Sequence, residues 1–100
     1  MSRLLLPATL LLLAATPASA GRIERACLAS DLNGTRPLCA CLQIVADQTL
    51  PSAYQRRGAA FFRNPDLSQK TKMSAIDNAS DARFWQHWQL FGQRAEATCG

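Results

Sequence analysis

The chain has 100 residues, with eleven Lys or Arg against seven Asp or Glu, a formal net charge of +4 and 48% hydrophobic residues. That length holds one domain, and with its only long apolar run at one end it has no material for a multi-span channel or transporter. The basic excess is mild and lacks a basic–aromatic motif, which argues against nucleic acid and supports at most a weak contact with an anionic surface.

The first twenty residues read as an export signal. Arg3 supplies a positive start, residues 4–15 are an apolar run interrupted by Pro7, and Ala18-Ser19-Ala20 is a small-x-small cleavage signal. The run falls short of the roughly 20 apolar residues that a membrane span needs. No cysteine at the cleavage site indicates a lipid anchor, and the isolated Arg3 does not indicate the twin-arginine route. The expected mature chain starts at Gly21 and forms one helical domain over residues 21–100, periplasmic or secreted.

Helical periodicity runs through the rest. Residues 23–32 are predicted as a short first helix with a poor apolar face, ended by Asn33-Gly34, both tolerant of a left-handed backbone. Pro37 suits the first turn of a second helix running to Thr49. On it Leu38, Cys41, Leu42, Val45 and Ala46 share a face with Ile44 beside Cys41, while Gln43 and Asp47 are expected to point away. Leu50-Pro51 starts a third helix to Arg63, with Tyr54, Gly58, Phe61 and Phe62 on one side and Arg56 and Arg63 opposite. Asn64-Pro65 stops it, because proline disfavours helix in the residue before it. Asp66 and Gln69 resemble a capping box opening a polar segment to about Met73, and residues 74–80 fit one turn or a loop. The last helix is expected to begin at Ser80 as N-cap, with Asp81 near the positive end of the helix dipole. Phe84, Trp85, Trp88, Phe91, Gly92, Ala95 and Cys99 then fall within about 120° of one another, opposite Gln86, Gln89, Gln93 and Glu96. The fold class is all-α: a small disulfide-stapled bundle of three to four short helices plus one longer C-terminal helix.

Cys27, Cys39, Cys41 and Cys99 are an even set in a short exported chain, which reads as two disulfides. Cys39 and Cys41 point about 160° apart on a helix, so each is expected to bond another element. Cys41 and Cys99 both lie on apolar faces, favouring Cys41–Cys99 with Cys27–Cys39 over the swap Cys27–Cys41 with Cys39–Cys99. A redox reading of the C-x-C pair rests on thiols in the first turns of a helix, where the dipole lowers a thiol pKa. A metal reading would join thiolates to His87, which lies about 120° from Cys99 on the wheel and does not converge with it. No metal ligand, cofactor or catalytic residue is assigned.

The aromatic residues read first as core. Trp85, at the edge of the apolar face, with Trp88 and Tyr54, makes the candidate binding groove. His87 is expected at the core boundary with one nitrogen in water. Asn33-Gly34-Thr35 and Asn78-Ala79-Ser80 match the glycosylation sequon of a eukaryotic secretory pathway. Arg22, Arg25, Arg36, Arg56, Arg57, Arg63, Lys70 and Lys72 are interleaved with acids and read as a solvated surface.

From Cys39-Ala-Cys41-Leu-Gln-Ile-Val-Ala-Asp-Gln through Gln55-Arg-Arg and Ala60-Phe-Phe to Phe84-Trp85 and Cys99, the layout resembles small uncharacterised exported bacterial proteins. The resemblance implies no activity. The functional expectation is a binding or envelope accessory module whose partner is a protein or small ligand of the envelope, acting as a monomer or small oligomer. The alternatives are a thiol-redox protein using Cys39 and Cys41, or an acid-stress chaperone that exposes apolar faces as carboxylates protonate.

Overall fold

The computed structural model describes residues 21–100; the export-signal expectation falls on residues outside these. Five helices follow one another: α1 (Arg22–Ala29), α2 (Arg36–Thr49), α3 (Ser52–Arg63), α4 (Asp66–Ser74) and α5 (Ala79–Cys99). No strand occurs among the described residues. The fold is all-α, stapled by two disulfides, and α5 at 21 residues is the long C-terminal element.

Local chemistry sets the helix ends. α1 stops at Ala29 rather than near Leu32, because the Ser30 amide (3.3 Å) and hydroxyl (2.8 Å) both donate to the Cys27 carbonyl. Asn33 then takes the left-handed conformation at φ 61°. Thr35 caps α2, its hydroxyl accepting from the Leu38 amide at 3.2 Å, with Pro37 in the first turn. The expected capping box at Asp66 is absent: Pro65 precedes α4, Asp66 is already its first helical residue, and no side chain caps that end. α5 begins at Ala79 instead of after Ser80, because the Asn78 side chain accepts from the Asp81 amide at 3.0 Å and is itself the N-cap.

α2 packs on α1 and α5, and α1 also packs on α3. The core between them holds Ile23, Ala26, Val45, Ala46, Leu50, Ala59, Phe91 and Ala95. Cys27–Cys39 joins α1 to α2 and Cys41–Cys99 joins α2 to α5. On the chain-entropy model these loops, closed over separations of 12 and 58 residues, stabilise the fold by about 3 and about 4 kcal/mol. Gly34 lies against the first bond: a Cβ there would sit 2.8 Å from both sulfurs.

The buried face of α2 differs from the expected one. Cys39, Gln43, Val45, Ala46 and Thr49 are buried, while Leu38 and Ile44 are exposed. Gln43 does not point away. Its Oε1 accepts from the Glu24 amide at 2.9 Å, and its Nε2 donates to Asp47 Oδ1 at 2.8 Å and Gln55 Oε1 at 2.9 Å. The cause lies in α1. Gly21, its N-cap, has no side chain to satisfy an unpaired first-turn amide, so Gln43 does so from the neighbouring helix. Gln55 closes the network by donating to Asp47 Oδ1 (3.1 Å) and the Leu50 carbonyl (3.2 Å), joining α1, α2 and α3.

Candidate functional site

The predicted binding aromatics do not converge on one groove. Phe84 is fully buried and sits between Tyr54, edge-on at 5.3 Å, and Trp88, stacked at 6.1 Å between centroids. Trp88 also packs on Phe61 (5.1 Å) and Phe91 (4.9 Å). Gly58 makes this approach possible, because a Cβ there would lie 2.3 Å from Trp88 Cζ3. Tyr54 faces His87 at 5.1 Å, and His87 Nδ1 lies 2.9 Å from the Arg83 carbonyl, leaving its Nε2 as the other ring nitrogen. Trp85 is half-buried and makes no ring contact with another described aromatic residue. Trp88 lines a groove of about 220 Å³ with Leu32, Phe61, Phe62, Pro65 and Ser68, a wall that includes neither Trp85 nor Tyr54.

The C-x-C cysteines are each bonded to another element, and no described cysteine is free. Cys39 is fully buried and Cys41 half-buried, so solvent reaches the second bond more readily than the first. Among the described residues no group of three or more His, Cys, Asp and Glu side chains converges to hold a metal.

A different site forms where α1 crosses α3. Arg22 and Arg25 from α1 and Arg56 and Arg63 from α3 line a groove of about 270 Å³ whose floor is Ala26, Ala29 and Ala59. The sequence places these arginines on a dispersed, solvated surface; the fold gathers them. Arg22 and Arg25 are three apart, and Arg56 and Arg63 seven apart, so each pair lies along one side of its helix. Ala26 and Ala59 are both buried in the core cluster, which brings the helices together and sets the four exposed arginines beside the crossing. α3 therefore has two contact faces: Tyr54, Gly58 and Phe61 toward α5, and Ala59 toward α1. The side of α3 that carries Arg56 and Arg63 becomes the groove wall.

The electrostatics of this groove are one-signed. No carboxylate lines it, and among the described residues Arg22, Arg56 and Arg63 have no ion-pair or side-chain hydrogen-bond partner. By contrast, Arg57 is engaged: it bonds Asp81 Oδ1 at 3.1 Å and lies 4.2 Å over the Phe84 ring. Asp81 also accepts from the Ser74 hydroxyl at 2.5 Å, so it ties α3 and α4 to the start of α5. The Ser74 hydrogen bond, opposed by desolvation and helped by the Arg57 contact and charge, holds the Asp81 carboxyl below its ordinary pKa. A guanidinium is a planar fork of donors suited to carboxylate and phosphate oxygens. Those of Arg22, Arg56 and Arg63, without partners among the described residues, give this alanine-lined groove a positive potential and donors from two helices.

A second groove adjoins it, and a third adjoins the second. The second, of about 220 Å³, shares Ala29 and Arg63 with the arginine groove and is otherwise lined by Ser30, Asp31, Leu32, Phe62 and Pro65. It shares Leu32, Phe62 and Pro65 in turn with the Trp88 groove. No helix of the described residues is long and apolar enough to cross a membrane. The two disulfides fit an oxidising environment. No protein-family model, curated protein or solved structure matches this chain.

Proposed function

We propose that this chain is a small exported binding module, periplasmic or secreted, that takes an anionic ligand in the arginine groove between α1 and α3. The observation that carries this reading is the gathering of Arg22, Arg25, Arg56 and Arg63 around one groove without a lining carboxylate. The export part rests on the leader-like order of Arg3, the apolar run and Ala18-Ser19-Ala20, together with two disulfides that require oxidation. In this reading the Cys27–Cys39 bond anchors α1 to α2, and the packing of α3 on α1 sets the two arginine-bearing helices against each other.

The test is a calorimetric titration of the oxidised protein with pyrophosphate at two salt concentrations. Binding is expected to weaken with salt and to fall by about tenfold in Arg56→Ala, one charge-assisted contact being worth roughly that factor. Arg56 is exposed and partnerless among the described residues, so its loss leaves folding intact. Equal affinity in Arg56→Ala and in a control Arg36→Ala would remove the groove from the reading. Intact mass of the exported chain is expected to begin at Gly21; a retained residue 1 would remove the export part.

A further inference from the structure

The three neighbouring grooves, linked by shared lining residues, differ in chemistry. At one end stand Arg22, Arg25 and Arg56 over alanines. Arg63 and Ala29 belong both to this end and to the middle groove. Leu32, Phe62 and Pro65 belong both to the middle and to the far end, where Phe61 and Trp88 complete an apolar wall. One end is thus cationic and the far end mainly apolar, while the middle groove between them carries Asp31 and Ser30 beside Arg63. Leu32 is 59% exposed although it borders two of these grooves, an apolar side chain left without cover.

From this juxtaposition we infer that the ligand is a single-chain anionic amphiphile, an alkyl phosphate or carboxylate bound as a monomer, with its head among the arginines and its chain over Leu32, Phe62 and Trp88. This deepens the anion-binding reading and rests on it. Charge complementarity fixes the head at the α1–α3 end, because guanidinium forks donate bidentately to phosphate or carboxylate oxygens. Asp31, which lines the middle groove, repels an anionic head placed there and so reinforces that orientation. The apolar lining of the far groove removes methylene groups from water, and burying two of them already exceeds a tenfold gain in affinity. A wholly hydrophilic anion fills one end only, and a neutral chain leaves the arginines unused.

The experiment compares inorganic phosphate, dodecyl phosphate and the neutral dodecyl maltoside, each below its aggregation concentration, by calorimetry on the oxidised protein. Trp88 fluorescence in a Trp85→Phe background reports occupation of the far end, since these are the chain's two tryptophans. Dodecyl phosphate is expected to bind one per chain, at least about tenfold more tightly than phosphate, and to shift Trp88 emission. Leu32→Asn is expected to weaken dodecyl phosphate severalfold while leaving phosphate unchanged, and Arg56→Ala to weaken both. If phosphate binds and the alkyl chain adds nothing, the amphiphile inference fails and the anion reading stands. If dodecyl maltoside binds as well as dodecyl phosphate, the anionic head is refuted. If neither phosphate nor dodecyl phosphate binds, both readings fall. Binding only to phosphatidylglycerol vesicles, with no uptake of the monomer, overturns the inference in favour of adsorption to a surface.

Discussion

Glycine to alanine inside a helix ordinarily stabilises a protein by up to about 1 kcal/mol, through lower backbone entropy in the unfolded chain. Gly58 and Gly92 are both helical, yet the structure predicts opposite signs for them. At Gly58 a new Cβ would stand 2.3 Å from Trp88 Cζ3 and 3.1 Å from Cε3 and Cη2. Trp88 cannot give way freely, because its ring is held against Phe61 at 5.1 Å and Phe91 at 4.9 Å. Overpacking of that kind costs about 1–3 kcal/mol, and displacing the indole weakens aromatic pairs worth about 0.5–1.5 kcal/mol each. Set against the propensity gain, Gly58→Ala is expected to destabilise by about 1–3 kcal/mol. Gly92 has no heavy atom within 4 Å of its would-be Cβ, so Gly92→Ala is expected to stabilise by up to about 1 kcal/mol. Urea unfolding of the oxidised protein, followed by tryptophan fluorescence and far-ultraviolet circular dichroism, measures both. Equal stabilisation by the two substitutions would refute the packing of α3 against α5 described above.

Three other outcomes follow from named contacts. Gln43→Leu strands the Glu24 amide and removes the link to Asp47 and Gln55, and is expected to cost about 1–3 kcal/mol in the same urea assay. Because the Asp81 carboxyl titrates below its ordinary value in the folded state, its contribution is fully present above the unfolded pKa, near about 4, and is lost as pH falls through the folded one. Wild type should therefore lose its advantage over Asp81→Asn below about pH 4, and a constant gap in melting temperature from pH 7 to pH 2 would contradict the Ser74–Asp81–Arg57 clamp. Graded reduction with alkylation and peptide mapping should label Cys41 and Cys99 before Cys27 and Cys39, because Cys27 and Cys39 are 3% and 0% exposed.

How much of this was readable beforehand divides along the range of the interactions. α5 was legible because 21 residues carry a sustained apolar period, and the order of helices followed from Asn33-Gly34, Asn64-Pro65 and the proline at the start of α2. The observed cysteine pairing was one of two that helix geometry left open, with both apolar-face cysteines joined. Gln43 was misplaced because polarity alone sent it to solvent; its burial is decided by an amide on α1 that lacks a capping side chain. The start of α5 was off by two residues because Asn78 and Ser80 are both good caps, and only the observed hydrogen bond distinguishes them. The arginine groove was illegible for another reason. Each pair of arginines marks a side of its own helix, but nothing in either segment says that the two sides meet. Ala26 and Ala59 decide that, and alanine is a weak apolar signal at short range. The sequence also does not reveal that the fully buried Phe84 packs against both Tyr54 and Trp88 and lies between two of the three candidate groove residues.

The most direct test of the central claim is a residue-resolved one. Uniformly nitrogen-15-labelled oxidised protein, titrated with pyrophosphate, is expected to shift the amide signals of Arg22, Arg25, Ala26, Ala29, Arg56, Ala59 and Arg63 together, along one binding curve that Arg56→Ala displaces to higher concentration. Shifts scattered over Arg36, Lys70 and Lys72 with no saturation, or no shifts at all, would contradict a built anion site and return the arginines to a solvated surface.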